Sequence, residues 1–260
     1  MKTILASLLN AMNDPVLKNY HFQINRETVG ARIPLEITIR HRSNGFAREI
    51  NIAVPKNAIG NPRSIVVFMA DGQLTHVYCR SATEFVQDSE FPPIACFGLS
   101  CNDSGVMRKN RADEYLGASG EDLFDHHYEA FIKVMPAVAQ QLLKTPLKRD
   151  STVVAGFSNG ATFAYRMTME HPELFGNAIL MSPARLREPA DLSRLDGYRT
   201  KVFLAAGEEG LERLFKKNAL RIKQSLDQAG IPNTFWHDSD QGHDFFLWND
   251  AFARGLDWLF

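Results

Sequence analysis

The chain has few cysteines. Its 260 residues include three, Cys79, Cys96 and Cys101. An odd set without Cys-x-x-Cys or Cys/His ligand spacing argues against a disulfide framework or a zinc site, and for a reducing, cytoplasmic setting. Long apolar runs are also missing, and nothing approaches the roughly 18 residues of a membrane span. The run Thr3-Ile4-Leu5-Ala6-Ser7-Leu8-Leu9 behind Lys2 is short and broken by Asn10 and Asn13. It reads as an amphipathic opening helix rather than a signal peptide. Neither sign of charge dominates: 29 Lys and Arg face 30 Asp and Glu, a net charge of −1. That removes the electrostatic case for nucleic acid or an anionic membrane as partner. No internal repeat or linker divides the chain, so one domain over residues 1–260 is expected, with residues 1–30 as helix and lead-in. No cofactor and no metal are expected.

What is present is an ordinary soluble composition, 45% hydrophobic and 23% charged. Ile33 to Arg40 and Arg48 to Val54 alternate apolar and polar residues around a Ser43-Asn44-Gly45 turn, which predicts an antiparallel hairpin. The pattern then changes to continuous apolar runs, as strands covered on both faces require. These are Ser64 to Ala70, Ile94 to Leu99, Thr152 to Phe157, Ala178 to Met181 and Lys201 to Ala206. Asn233 to His237 reads as a last strand. Helical spacing fills most intervals, including Glu121 to Leu143 with an expected break or kink at Pro136. The polar segment from Asn102 to Gly120 reads as a long loop. The expected fold class is α/β: a mixed, mostly parallel sheet with helices on both faces and an N-terminal antiparallel hairpin.

One stretch carries chemistry. Val153 to Ala161 is a β-branched run, then Gly156-Phe157-Ser158-Asn159-Gly160, then a helical pattern. Gly-x-Ser-x-Gly arises by chance in roughly one such chain in twenty, so the flanking strand and helix matter more than the motif. A serine hydroxyl needs a base, and in this context the acid and base follow it in the order Ser, Asp/Glu, His. Of eight histidines, His243 follows the last strand in a Gln241-Gly242-His243-Asp244 turn, where the order requires the base. Glu209, then Glu208, then Glu212 are the candidate acids after the strand ending at Gly207. The backbone N–H groups of Asn159 and of Gln73, in the Asp71-Gly72-Gln73 turn, are the candidate oxyanion donors.

These residues resemble the Putative esterase family, which includes enterochelin esterases, esterase D (S-formylglutathione hydrolase), feruloyl esterases and mycolyltransferases. The resemblance runs from about Arg48 to the C-terminus. It rests on Asp71-Gly72, Arg111 with Glu114-Tyr115, Met135-Pro136, Gly156 to Gly160, and Gly242-His243-Asp244 with Trp248. The last piece, with Leu256 and Trp258, looks most like the enterochelin esterase branch. The resemblance implies an α/β-hydrolase fold with Ser158 as nucleophile, His243 as base and Gln73 and Asn159 amides around the oxyanion. The family acid usually lies three residues after the strand-ending glycine, and Gly210 stands there. The resemblance thus leaves Glu209, Glu208 or a Ser-His dyad open. Arg108 and Arg111, with Lys109, lie in the loop expected to rim the site, as cations for an anionic substrate or as a solvated cluster in which Arg111 pairs structurally with an acid. Trp248 is expected to contact substrate. The expected partner is a small-molecule ester of siderophore or aromatic acyl type. Acyl transfer, an S-formylglutathione or feruloyl specificity, and a catalytically impaired binding role are the alternatives.

Overall fold

The computed structural model describes residues 14–27, 32–85, 90–101, 107–117, 121–184, 186 and 191–260. The opening helix expected over the first dozen residues lies outside them. The chain forms two compact units: residues 1–76 with 92–147, and residues 77–91 with 148–260.

In the first unit the strand order is β1-β2-β3-β5-β4. β1 (Tyr20–Glu27), β2 (Arg32–His41) and β3 (Ala47–Pro55) are antiparallel neighbours, and β3 is antiparallel to β5 (Ile94–Leu99). β4 (Ile65–Ala70) runs parallel to β5, and every residue of both is buried. The expected hairpin is β2–β3. The additional strand β1 follows from the alternation of Tyr20, Phe22 and Ile24, which sets Phe22 opposite Ile39 and Ile24 opposite Ile37. After β4 comes a one-turn 3₁₀ helix, Gly72–Leu74, which leads into helix α1 (Thr75–Phe85).

The loop expected between Asn102 and Gly120 is instead largely helix α2 (Met107–Leu116). Its face toward the unit is polar: Asp113, Glu114 and Tyr115 are buried. A helix that buries ion-paired side chains has no apolar period to detect. Helix α3 (Glu121–Glu129) continues through a π turn (Ala130–Val134) into helix α4 (Met135–Leu143). Next to Pro136, where a break or kink is expected, the helix carries this π turn. The Met135 N–H reaches the Ala130 carbonyl, so the helix widens for one turn ahead of the missing proline N–H and does not end.

The second unit holds four parallel strands in the order β6-β7-β8-β9: Thr152–Phe157, Asn177–Met181, Lys201–Gly207 and Asn233–Asp238. Helices α5 (Asn159–Glu170), α6 (Glu212–Gln228) and α7 (Phe245–Leu259) alternate with them and pack on the strands. β6 and β7 are buried throughout, as their unbroken apolar runs require. The C-terminal ends of β6, β7 and β8 therefore carry loops at one edge of a rigid layer, where α/β folds place their chemistry. No helix among the described residues is long and apolar enough to cross a membrane.

Candidate active site

Ser158 occupies the sharp turn between β6 and α5. Its backbone sits at φ 54°, ψ −123°, a region that costs a non-glycine residue about 1–3 kcal/mol. The surrounding hydrogen bonds hold it there. The Ser158 N–H donates to the Met181 carbonyl on β7 at 2.9 Å. The Ser158 carbonyl accepts from the N–H groups of Ala161 (3.1 Å), Thr162 (3.3 Å) and Ala184 (3.2 Å). Gly156 permits the turn because a Cβ there would overlap the Gly160 carbonyl oxygen. Strand and helix thus approach so closely that the serine is lifted to the tip of the turn. Asn159 is the first residue of α5, so its N–H has no acceptor within that helix and is free to meet developing negative charge.

His243 reaches Ser158 from the far side of the same unit, with Nε2 3.2 Å from Oγ. Its loop is fixed against the end of β8. The N–H groups of Glu208 and Glu209 both donate to the Gln241 carbonyl at 3.2 Å. Gly207 lies so close to that carbonyl that a Cβ would overlap it. Asp244 caps α7, its Oδ1 accepting from Phe246 N (2.9 Å) and Leu247 N (3.2 Å).

Of the three candidate acids, the structure brings Glu212 to the histidine. Glu212 Oε1 lies 2.5 Å from His243 Nδ1, and Oε2 accepts from the Gly207 N–H at 2.8 Å. The Glu212 side chain is fully buried, so both oxygens are used where water cannot compete. This reverses the expected order. The Glu208 side chain pairs with Lys216 and lies 2.8 Å from His237 Nδ1. The Lys216 hydrogen bond holds the Glu208 carboxyl below its usual range. Glu209 contributes backbone: its N–H holds Gln241 and its carbonyl accepts from the Glu212 N–H at 3.0 Å. The physical reason is the path of the chain. After Gly207 a short excursion through Gly210 at φ 55° starts α6 at Glu212, and the first-turn carboxylate folds back over the end of the strand.

Trp248, expected to touch substrate, is 9% exposed. Its Nε1–H donates to Ser182 Oγ at 3.0 Å, and its ring stacks on Phe157 at 4.1 Å. The His243 ring lies nearly perpendicular to it, with centroids 4.8 Å apart and planes at 86°. Burial and three partners make it internal structure rather than a free binding surface. Phe215, which the sequence did not single out, stacks on the His243 ring at 4.1 Å and 13°. The available signal was helical spacing: Phe215 is three residues after Glu212.

Gln73 and Arg111 belong to the first unit. Asp71 enters the Gly72–Leu74 turn at φ 59° and is fully buried. Arg111 grips it with two bonds, Nε to Oδ1 at 2.6 Å and Nη2 to Oδ2 at 2.7 Å. Tyr115 Oη accepts from the Asp71 N–H at 2.7 Å. Arg111 therefore supports the turn that carries the Gln73 backbone and is not a free cation for substrate. Burial, and then Asp71, raise the Tyr115 hydroxyl pKa, so it stays a neutral partner. Burial also pushes the Cys101 thiol up to about 12, which makes it unreactive near neutral pH. The side chain of Arg108 lies outside the described residues. No group of His, Cys, Asp and Glu suited to a metal occurs among the described residues.

A buried carboxylate, an imidazole and a hydroxyl in series, beside an unpaired helix N–H, can activate the hydroxyl and hold an oxyanion. The fold is similar to that of several solved proteins. An S-formylglutathione hydrolase from Agrobacterium tumefaciens superposes with a TM-score of 0.67 at 17% identity, over 91% of this chain and 98% of that one. The fluorophosphonate-binding serine hydrolase F of Staphylococcus aureus gives 0.61 at 16% identity, over 88% and 99%. The enterobactin esterase of Shigella flexneri gives 0.65 at 19% identity, over 90% of this chain and 60% of that one. At these identities the likeness is one of fold, and that fold is the α/β-hydrolase type. No curated protein matches the sequence. The profile of esterases does match it, over residues 43–256. That span is most of the chain, and the chain belongs to the Putative esterase family.

Proposed function

We propose that this esterase is a serine carboxylic ester hydrolase that works through an acyl-enzyme on Ser158. The observation that carries the reading is the unbroken series from Glu212 to His243 (2.5 Å) to Ser158 (3.2 Å). Ser158 Oγ attacks the ester carbonyl carbon while His243 Nε2 takes its proton. The carbonyl oxygen becomes an oxyanion, and the Asn159 N–H donates to it. Glu212 holds the Nδ1 proton, which keeps Nε2 free as the acceptor and stabilises the imidazolium. The imidazolium then protonates the departing alcohol as the carbon–oxygen bond breaks. Water repeats the sequence: His243 takes its proton, hydroxide adds to the acyl carbon, and Ser158 leaves with the proton returned. No metal or cofactor enters any step.

For the substrate we propose an ester of aromatic acyl or siderophore type, which rests on the likeness to the Shigella flexneri enterobactin esterase and on the Gly242-His243-Asp244 and Trp248 pattern. The test has two parts. A fluorophosphonate probe should label the wild type at Ser158 and fail on Ser158→Ala and His243→Ala. A panel of catecholate siderophore esters, feruloyl esters and S-formylglutathione should then show the highest kcat/KM on an aromatic acyl ester. Full activity in Ser158→Ala, or labelling at another residue, refutes the mechanism. A preference for S-formylglutathione refutes the substrate class alone.

A further inference from the structure

We infer that Phe215 is a positioning residue for the base: it fixes the plane of the His243 ring so that Nε2 points at Ser158. The inference rests on the triad reading above and adds a residue to it. The geometry begins with what the hydrogen bonds leave undetermined. Glu212 holds His243 at Nδ1, and Ser158 sits at Nε2, so both bonds lie at edges of the ring. Edge contacts fix the distance of the ring from each partner. They resist weakly a tilt of the ring about the line joining those edges. His243 stands in a turn, and its side chain is 23% exposed, so its surroundings do not enclose it fully.

The faces supply the missing constraint. Phe215 lies flat on the ring, with centroids 4.1 Å apart and planes 13° apart. Trp248 closes in nearly at right angles, 4.8 Å away at 86°. A parallel ring and a perpendicular one together oppose tilt. Both are themselves anchored. Trp248 is bonded to Ser182 Oγ and stacked on Phe157, the residue before the nucleophile. Phe215 stands on α6 one turn after Glu212, so the same helix offers an acceptor to the edge of the imidazole and a ring to its face. The face of an aromatic ring also favours positive charge, and positive charge forms on His243 as it takes the serine proton. Phe215 touches no reacting atom, and its effect acts through His243.

The experiment replaces the ring by an aliphatic side chain of similar bulk, Phe215→Leu, and restores a ring with Phe215→Tyr. Phe215 is only partly buried, so a tyrosine hydroxyl can reach solvent. Phe215→Met serves as a second aliphatic variant, and thermal unfolding shows that each is folded. Kinetics are read on p-nitrophenyl acetate and p-nitrophenyl butyrate, with the rate of fluorophosphonate labelling measured in parallel. Phe215→Leu and Phe215→Met should lower kcat by roughly 10- to 100-fold on both esters, the range that slight misplacement of a catalytic group produces. KM should hardly move, labelling should slow by the same factor, and Phe215→Tyr should recover most of the rate. Unchanged kcat in the folded aliphatic variants overturns the inference. So does a loss confined to KM that depends on the acyl chain, which would make Phe215 a substrate contact. If Ser158→Ala and His243→Ala abolish labelling while Phe215→Leu does not slow it, only this inference falls. If labelling survives in those two variants, the triad reading falls with it.

Discussion

Replacing the Glu212 carboxylate by its amide separates the candidate acids most sharply. In the folded chain Oε2 accepts the Gly207 N–H at 2.8 Å and Oε1 faces His243 Nδ1 at 2.5 Å. A carboxylate can accept at both places, but an amide can accept at only one. If Glu212→Gln keeps its oxygen on Gly207, its NH₂ faces Nδ1 and donates to it. The ring proton must then move to Nε2, which points a donor at Ser158 and removes the base. If the amide turns round, its NH₂ meets the Gly207 N–H, and two buried donors confront each other at a cost of about 1–3 kcal/mol. The first arrangement is the cheaper one, so the variant should fold and lose its catalytic tautomer. A triad acid changed to its amide typically lowers kcat by about 10⁴-fold, near 5 kcal/mol of barrier. The assay is kcat/KM on p-nitrophenyl acetate, with a urea unfolding curve as control. Glu208→Gln and Glu209→Gln should stay near wild type, since one pairs with Lys216 and His237 and the other serves through its backbone. A folded Glu212→Gln keeping more than about a tenth of wild-type kcat/KM refutes the assignment of the acid. A collapse in Glu209→Gln would restore the order expected from sequence.

Two further predictions concern the first unit. Arg111→Met leaves the fully buried Asp71 carboxylate without its two-bond partner, which should cost about 3–5 kcal/mol in urea unfolding. Adding Asp71→Asn should recover much of that loss, and no recovery would show that the pair is not the cause. His127 is buried, and burial, then Arg48, lower its pKa from 6.5 to about 3. Below pH 6.5 the unfolded chain binds a proton that the folded chain refuses, so stability is full above that value and falls as pH drops toward 3. The whole effect is at most about 4–5 kcal/mol. His127→Leu should flatten the stability profile between those limits, and an equally steep profile in the variant would refute the cause.

How much of this was legible in the sequence depended on whether burial followed hydrophobicity. The strands β4 to β8 could be read because their residues are apolar and buried together. The elbow could be read because sterics require Gly156 there, where a Cβ would overlap the Gly160 carbonyl oxygen, and because a strand and a helix flank the motif. Helix α2 could not, because it buries Asp113, Glu114 and Tyr115 and thus shows a polar face where a period search expects an apolar one. From sequence, Trp248 is a candidate substrate contact, and Arg111 is either a cation for substrate or the structural partner of an acid. In the fold each is consumed by internal partners, Ser182 and Phe157 for one and Asp71 for the other.

The acid shows the same failure in a form that the sequence could have repaired. Proximity to the end of β8 favoured Glu209 and Glu208. The helix offers a better rule. Its buried residues Leu226, Ile222 and Ala219 step back by four and three, the next steps reach Phe215 and Glu212, and neither Glu209 nor Glu208 lies within the helix. A glutamate that falls on the core-facing stripe, while Leu211 and Leu214 beside it are 65% and 62% exposed, is held inward for a reason other than hydrophobicity. The glycine at position 210, where the family pattern expects a carboxylate, therefore does not mean that the acid is lost. In the mechanism proposed above the acid is Glu212, on the first turn of a helix, where Gly207 holds one oxygen. A loop-borne acid would have to be oriented by its loop alone. Here the helix that carries Glu212 also brings Phe215, three positions later, to the same imidazole.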